Sequence, residues 1–341
     1  MSLAKSNRKE DIIVNWNILS KYRKELMGLA TIAVVIFHFF EMVGKNIEEV
    51  DIITRFLYNI GRYGYMGVEV FLLLSGMGCY YSLKRKNDIK LFIKKRLKKV
   101  LVPYFLFSVP FWFYIDVFID KYETKFILDI FNITFFKGNR LYWYVVLIVA
   151  MYFIVPVLFY LFDKDNKVRK VSFYCLEFLV LIFSVILFIR YNSYFKVLQV
   201  ALTRVPSFIF GVYIGKNIYE KKNISPLMLF ITVFSLFFID YKFPNVLLMR
   251  YANFIQAIGL SLLVAQFMDI VNANRIRKGL CFIGAYSLEI YLGHVTFRKL
   301  FNYYGLSTYK IEVYFIVVLL TIVSVFVVNN ITNLIDKRIK I

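Results

Sequence analysis

Blocks of mostly apolar residues, each close to 20 residues long, follow one another along nearly the whole chain. A helix needs roughly 20 such residues to cross the hydrocarbon core of a bilayer, because each residue adds only about 1.5 Å. The pattern predicts an all-α, polytopic integral membrane helix bundle with about ten transmembrane helices. The blocks lie near residues 26–43, 64–83, 100–119, 142–162, 171–189, 203–219, 224–240, 252–271, 280–300 and 311–335.

The composition favours one membrane domain. Hydrophobic residues make up 60% of the 341 residues, more than a water-soluble domain could bury in one core. No linker rich in Pro, Gly or Ser separates the blocks, so residues 26–335 are predicted to form a single transmembrane domain. The polar segment 1–25 does not resemble a cleaved signal peptide and is expected to remain as a cytoplasmic segment, with 336–341 as a short cytoplasmic tail.

Basic residues indicate the orientation of the helices, because cytoplasmic loops retain an excess of Lys and Arg. With the N-terminus inside, most of the 43 Lys and Arg lie on the cytoplasmic side, and nine of them fall between residues 84 and 99. Both termini are therefore predicted to be cytoplasmic. This topology also explains the net charge of +21, and no nucleic-acid-binding motif accompanies it. The three cysteines lie in or beside different blocks, so no metal site is predicted.

Ionisable side chains within the apolar blocks need a functional or pairing role. A charged side chain at the membrane centre costs at least ~2.5–3.5 kcal/mol on insertion scales. The ionisable residues within the apolar blocks include His38, Glu41, Glu69, Asp116, Glu177, Glu289 and His294.

The two histidines of the chain, His38 and His294, are predicted to lie at similar depth. They are about 18 Å and about 21 Å from the predicted starts of two helices that run in the same direction. They are expected either to face one shared cavity, slightly to the outer side of the midplane, or each to hydrogen-bond a neighbouring helix.

The basic segment "DIKLFIKKRLKKVLVPY" has helical periodicity. Most of its lysines point away from the apolar stripe and are expected to contact lipid headgroups. Arg96 falls within the stripe and Lys99 on its edge. A buried cation at the cytoplasmic mouth requires an anionic partner, which a ligand carrying phosphate groups would supply.

Five stretches resemble signatures of the acyltransferase family 3 membrane proteins, which O-acylate bacterial polysaccharides and other cell-surface molecules. They follow in the family's order and cover essentially the whole chain. They are "LMGLATIAVVIFH", "GVEVFLLLSG", "FIKKRLKKVLVPY", "LYWYVVLIVAMYFIVP" and "IGAYSLEIYLGHV".

The resemblance implies site residues. His38 takes the place of the family's essential histidine and Glu69 that of its acidic residue in the second helix. Arg96 and Lys99 occupy the two cationic positions of its R-x-x-R motif, with lysine in the second.

One position departs from the family pattern. The arginine expected eleven residues before His38 is Met27 in this chain. Lys24, one turn earlier, is expected to present a cation near the same face and to join the donor site.

The implied reaction moves an acyl group, expected to be acetyl from cytoplasmic acetyl-CoA, to a hydroxyl of a cell-surface glycan or lipid-linked sugar precursor. The implied location is the lipid bilayer of the bacterial cytoplasmic membrane. His38 is expected either to act as general base or to carry the acyl group, and Glu69 either to orient its imidazole or to stabilise its charged form.

On the acceptor side, Trp143 and Tyr144 either stack on a sugar ring or anchor their helix at the interface. His294 is expected to line this side, and Glu41 either faces the acceptor or reaches the lipid headgroups.

Two other classes of protein remain open at this stage. A transporter or exporter of glycan intermediates could use Glu and His as a proton relay, and inverted repeats would favour it. A structural scaffold would leave the signatures unexplained. The sequence makes no prediction of the oligomeric state.

Overall fold

The computed structural model describes residues 14–239, 241, 243–271 and 273–338. Residues 1–13 of the predicted N-terminal segment and 339–341 of the predicted tail lie outside the described residues. The helices, in chain order, are α1 (Asn17–Lys21), α2 (Arg23–Lys45), α3 (Ile52–Gly61), α4 (Gly67–Arg85), α5 (Ile89–Trp112), α6 (Glu123–Ile130), α7 (Trp143–Phe162), α8 (Asn166–Arg190), α9 (Asn192–Leu202), α10 (Val205–Tyr219), α11 (Pro226–Phe234), α12 (Val246–Ile270), α13 (Asn274–Ala285), α14 (Ser287–Tyr303) and α15 (Ile311–Arg338).

The prediction of an all-α polytopic bundle is confirmed. In the described part of the chain, eight helical segments are long and apolar enough to span a membrane. The pair α13 and α14, bent by 67° at its break, makes a ninth if it is one span. The helix at Pro226–Phe238 is apolar but shorter. The total of ten spans and the cytoplasmic location of both termini remain predictions.

Polar residues mark where several helices begin. At each of these helix starts a side-chain oxygen accepts a hydrogen bond from a backbone N–H of the first turn, which otherwise has no partner within the helix. The capping residues are Asp51 before α3, Asp88 before α5, Asp165 before α8, Ser225 before α11 and Asn245 before α12. Asp88 thus begins α5 within the basic segment, one turn before its first buried apolar residue, Phe92.

Glycines allow the helices of the bundle centre to approach closely. A methyl group at Gly28 of α2 would lie 2.1 Å from the carbonyl oxygen of Leu280 in α13, and one at Gly284 would lie 2.0 Å from that of Lys24. Only a residue without Cβ fits such backbone contacts, which are typical of helix packing in membranes. The close packing of α2 on α13 fixes α2 relative to the broken helix.

A polar network joins helix ends on the predicted cytoplasmic side. Tyr80 and Lys84 of α4 donate hydrogen bonds of 2.7 Å and 2.9 Å to the carboxylate of Asp163, which follows α7. Partial burial opposes the ionisation of Asp163, but the hydrogen bonds from Tyr80 and Lys84 outweigh this effect and hold its pKa below the usual value. Lys216 of α10 donates to the Asp163 carbonyl at 3.0 Å, so three helices meet at this residue.

Candidate active site

Two cavities lie one behind the other in the bundle and share the side chains of Trp143 and Tyr291. The inner cavity, toward the predicted cytoplasmic side, has a volume of about 340 Å³. The outer cavity has a volume of about 510 Å³ and is lined by His38. Trp143 and Tyr291 therefore form the boundary between the two spaces.

Four cationic side chains line the inner cavity, among apolar and aromatic residues. Arg23 and Lys24 come from the first turn of α2, and Arg96 and Lys99 from α5. Helix α14 begins at Ser287 in the same wall, so the positive end of its macrodipole adds to the local potential. Gly284, Ala285 and Ser287, at the break between α13 and α14, line this cavity, and its cations suit an anionic ligand.

The predicted donor-site cations Lys24, Arg96 and Lys99 all line the inner cavity. Arg96 Nη2 donates to the Gly78 carbonyl oxygen at 2.8 Å, and the guanidinium lies 5.8 Å from the ring centroid of Tyr152. The main chain of α4 thus fixes the position of this cation.

Arg23 is a cavity residue that the sequence reasoning missed. Its Nε donates to the Leu74 carbonyl oxygen at 3.2 Å, and Met27, one turn later, lines the same cavity. Arg23 therefore places a guanidinium in the inner cavity one turn before position 27, where the family pattern has its arginine. The signal was present in the sequence, because residues four apart share a helix face.

The two histidines are in direct contact. His38 Nδ1 lies 2.5 Å from His294 Nε2, and the ring centroids are 4.8 Å apart. His294 Nδ1 lies 3.0 Å from the carbonyl oxygen of Ile290, one turn earlier on α14. This contact agrees with the prediction of similar depth, but His294 differs from its expected location on the acceptor side. Its side chain is 1% exposed and lies behind His38, outside the described linings of both cavities.

Glu69 differs from its predicted position beside the His38 imidazole. Its carboxylate Oε1 lies 3.0 Å from Arg204 Nε, and the two residues are 1% and 4% exposed. The Arg204 guanidinium in turn lies 4.9 Å from the ring of Trp143. A buried carboxylate requires a cation, and the packing of α4 on α10 supplies Arg204 as that partner. Glu69 therefore contacts the boundary between the cavities through Arg204.

Glu41 is held by an arginine that the sequence reasoning also missed. Arg298 lines the outer cavity and its Nη1 lies 2.9 Å from Glu41 Oε2 and 3.4 Å from the backbone oxygen of His38. Arg298 is four residues after His294, so it lies on the same face of α14. Glu41 connects α2 to α14 through this ion pair.

The side chains of the two aromatic residues at the start of α7 point in different directions. Trp143 lines both cavities, whereas Tyr144 lines only the inner one of the two. Consecutive residues of a helix point about 100° apart, so one sugar-binding platform cannot use both side chains from the same direction. The expectation that Tyr144 lies on the acceptor side is therefore corrected.

The segment between α5 and α7 forms much of the outer cavity wall. Lys125 Nζ lies 2.7 Å from the buried carboxylate of Asp116 and 3.0 Å from that of Asp120. The hydrogen bond from Lys125 holds the pKa of Asp120 below its usual value. Asn139 donates to Asp129 at 2.7 Å, so the outer cavity presents fixed hydrogen-bonding groups and aromatic rings.

The remaining ionisable residues of the apolar blocks occupy different environments. Glu289 lines the inner cavity, whereas Glu177 has a buried Oε1 without a hydrogen-bond partner. In the part of the chain that the structure describes, no group of three or more His, Cys, Asp and Glu side chains could hold a metal ion.

These features define a membrane-embedded enzyme of the group-transfer type, with a cationic cavity and a histidine-lined cavity meeting inside one helical bundle. The chain belongs to acyltransferase family 3, whose model, described as an acyltransferase domain, matches residues 26–329. It is thus a multi-pass membrane acyltransferase, and the match favours acyl transfer over transport. No curated protein and no solved structure matches the chain significantly.

Proposed function

We propose that the protein transfers an acetyl group from cytoplasmic acetyl-CoA to a hydroxyl of a cell-surface glycan or lipid-linked sugar precursor in the bacterial cytoplasmic membrane. One observation carries the proposal: the cationic inner cavity and the His38-lined outer cavity meet at Trp143 and Tyr291. Donor and acceptor can then approach from opposite sides without either crossing the lipid.

On the donor side, the phosphates of coenzyme A would bind at the mouth of the inner cavity, near Lys24, Arg96 and Lys99. The cavity volume of about 340 Å³ is near the lower end of small-molecule pockets, ~300–1,000 Å³. It therefore suits the slender thioester arm, and the bulky nucleotide would remain at the mouth.

On the acceptor side, His38 would act as general base. It takes the proton of the acceptor hydroxyl, and the hydroxyl oxygen attacks the thioester carbonyl. The carbon–sulfur bond breaks, and the departing thiolate receives the proton from the imidazolium, which gives an ester and free coenzyme A thiol. The location of His38 in the wall of the outer cavity supports this role over that of an acyl carrier.

The test is acetyl transfer in reconstituted vesicles. We expect His38→Gln to lower kcat by about 10²–10⁴-fold, the usual contribution of general acid–base catalysis. Arg96→Met should raise KM for acetyl-CoA by about 10–150-fold, because a hydrogen bond to a charged group is worth about 1.5–3 kcal/mol. Lys90→Met, an exposed lysine of the same helix, is the matched control and should leave KM unchanged.

Normal transfer by a folded His38→Gln protein would refute the catalytic assignment. Recovery of an acetylated His38 from wild-type protein incubated without acceptor would replace the general-base role with the acyl-carrier role. Equal effects of Arg96→Met and Lys90→Met would show that the inner cavity does not bind the donor.

A further inference from the structure

We infer that His294 is a positioning residue that holds His38 in the tautomer with hydrogen on Nδ1, so that His38 Nε2 is the nitrogen that takes the acceptor's proton. The functional part of this inference rests on the proposed function. The tautomer itself rests on the contacts of the two imidazoles.

The first step concerns His294 and the main chain. Its Nδ1 lies 3.0 Å from the carbonyl oxygen of Ile290, and a carbonyl oxygen can only accept a hydrogen bond. His294 Nδ1 must therefore carry hydrogen. A neutral imidazole has one N–H, so His294 Nε2 has a free lone pair and is an acceptor.

The second step concerns the contact between the rings. His38 Nδ1 is 2.5 Å from His294 Nε2, so one of the two nitrogens must donate. Because His294 Nε2 is the acceptor, His38 Nδ1 is the donor. A neutral His38 then has its lone pair on Nε2, which is the basic atom that acyl transfer requires.

The opposite arrangement is disfavoured by the same geometry. If His294 Nε2 carried the hydrogen, the lone pair of its Nδ1 would face the lone pairs of the Ile290 carbonyl oxygen at 3.0 Å. No rotation relieves this contact easily, because the His294 side chain is 1% exposed and the Tyr291 ring packs at 5.9 Å from it.

The pair also accommodates the charge that forms during transfer. When His38 Nε2 takes a proton, His38 Nδ1–H continues to donate to His294 Nε2, which stabilises the imidazolium. His294 therefore has the role that a carboxylate has beside the histidine of other acyl-transfer sites. It acts through His38 and needs no contact with substrate, which agrees with its burial behind that residue.

The tautomer can be measured without any activity, because the chain contains only two histidines. We would incorporate ¹⁵N-labelled histidine, reconstitute the protein in lipid nanodiscs and record the ring-nitrogen signals at neutral pH. The variant His294→Gln contains a single histidine, so all of its ring-nitrogen signals belong to His38 and can be assigned to it. In wild type we expect both rings to carry hydrogen on Nδ1. A His38 ring with hydrogen on Nε2 would overturn the inference.

Kinetics of two variants test the functional part. Gln presents a side-chain oxygen near the position of the imidazole Nε2 and can still accept from His38, whereas Leu cannot. His294→Leu should lower kcat by about 10²–10⁴-fold with KM for acetyl-CoA unchanged, and His294→Gln should recover much of that loss. Equal losses in the two variants, or an unchanged kcat in folded His294→Leu, would overturn the positioning role.

The two hypotheses fail separately. If wild type has the expected tautomer but transfers no acetyl group to any acceptor, the proposed function fails and the tautomer assignment stands. If wild type transfers acetyl but His38 carries hydrogen on Nε2, the positioning role of His294 fails and the proposed function stands.

Discussion

The buried ion pair between Glu69 and Arg204 gives the sharpest test of the fold around the site. Its atoms are 3.0 Å apart, with the two residues 1% and 4% exposed. At this separation the Coulomb attraction is about 5–6 kcal/mol with an effective dielectric constant of about 20. Desolvation offsets most of it, but removing one partner leaves an uncompensated buried charge that costs about 3–5 kcal/mol. We therefore expect Arg204→Gln to lower the free energy of unfolding by that amount.

The double substitution should lower the free energy of unfolding by much less than the sum of the two single substitutions. The double variant Glu69→Gln, Arg204→Gln removes both charges of the pair, and its main loss is the hydrogen bond from Arg204 to the Val200 carbonyl oxygen, worth about 1 kcal/mol. Equilibrium unfolding in mixed micelles with increasing dodecyl sulfate, followed by tryptophan fluorescence, gives the free energies for a double-mutant cycle. A loss below about 1 kcal/mol for Arg204→Gln, or additive losses, would refute the reasoning.

The same variants separate the structural role of Glu69 from the role predicted from sequence. If Glu69 oriented the His38 imidazole, Glu69→Gln would change the His38 tautomer in the ¹⁵N spectrum. The structure predicts an unchanged tautomer, because His294 holds His38. Activity should still fall in Glu69→Gln, since Arg204, whose guanidinium lies 4.9 Å from the Trp143 ring, would lose the carboxylate that holds it.

Three further predictions concern the rest of the bundle. Gly284→Ala should destabilise the protein by at least about 1–3 kcal/mol through overpacking against α2, whereas the control Gly279→Ala in the same helix, with open space around it, should not lower the melting temperature. Lys84→Met should lower the melting temperature at pH 7, and its difference from wild type should shrink toward pH 3. This follows because the pKa of Asp163 is depressed, so the stability it contributes is present above the usual carboxyl pKa of about 3.9 and is lost as the pH falls through the folded value. Trp143→Ala should open the boundary between the cavities and increase the release of coenzyme A thiol from acetyl-CoA without acceptor, and an unchanged release rate would contradict the boundary role.

Depth in the membrane could be predicted from the sequence because it depends only on counting residues along a helix. A rise of about 1.5 Å per residue predicts similar depths for His38 and His294, and the structure brings the two side chains into contact. The buried face of a single helix was also predictable, because Arg96 lies on the apolar stripe of α5 and does line a cavity.

Which helices are neighbours could not be predicted in this way. Glu69 and Arg204 are in different helices far apart in sequence, and periodicity gives the direction of each side chain without the identity of the facing helix. The glycines at the contacts between helices show that close approach occurs, but not which helix approaches. The family resemblance therefore predicts His38 as the partner of Glu69. In the structure, the packing of the helices makes Arg204 its partner.

Locating the boundary between the cavities requires both the sequence of a single helix and the packing of its neighbours. Helix α7 begins at Trp143, and the segment preceding it folds over the outer cavity, with Lys125 and Asp129 in its wall. The start of α7 consequently lies within the protein, where Trp143 can reach both cavities. Lys24 and His38 both lie on α2 and are about 21 Å apart by helical rise, which is the distance that the donor must span. In the proposed reaction, a donor anchored by its phosphates near Lys24 would extend its thioester through the inner cavity to the boundary at Trp143 and Tyr291, beyond which His38 lines the outer cavity.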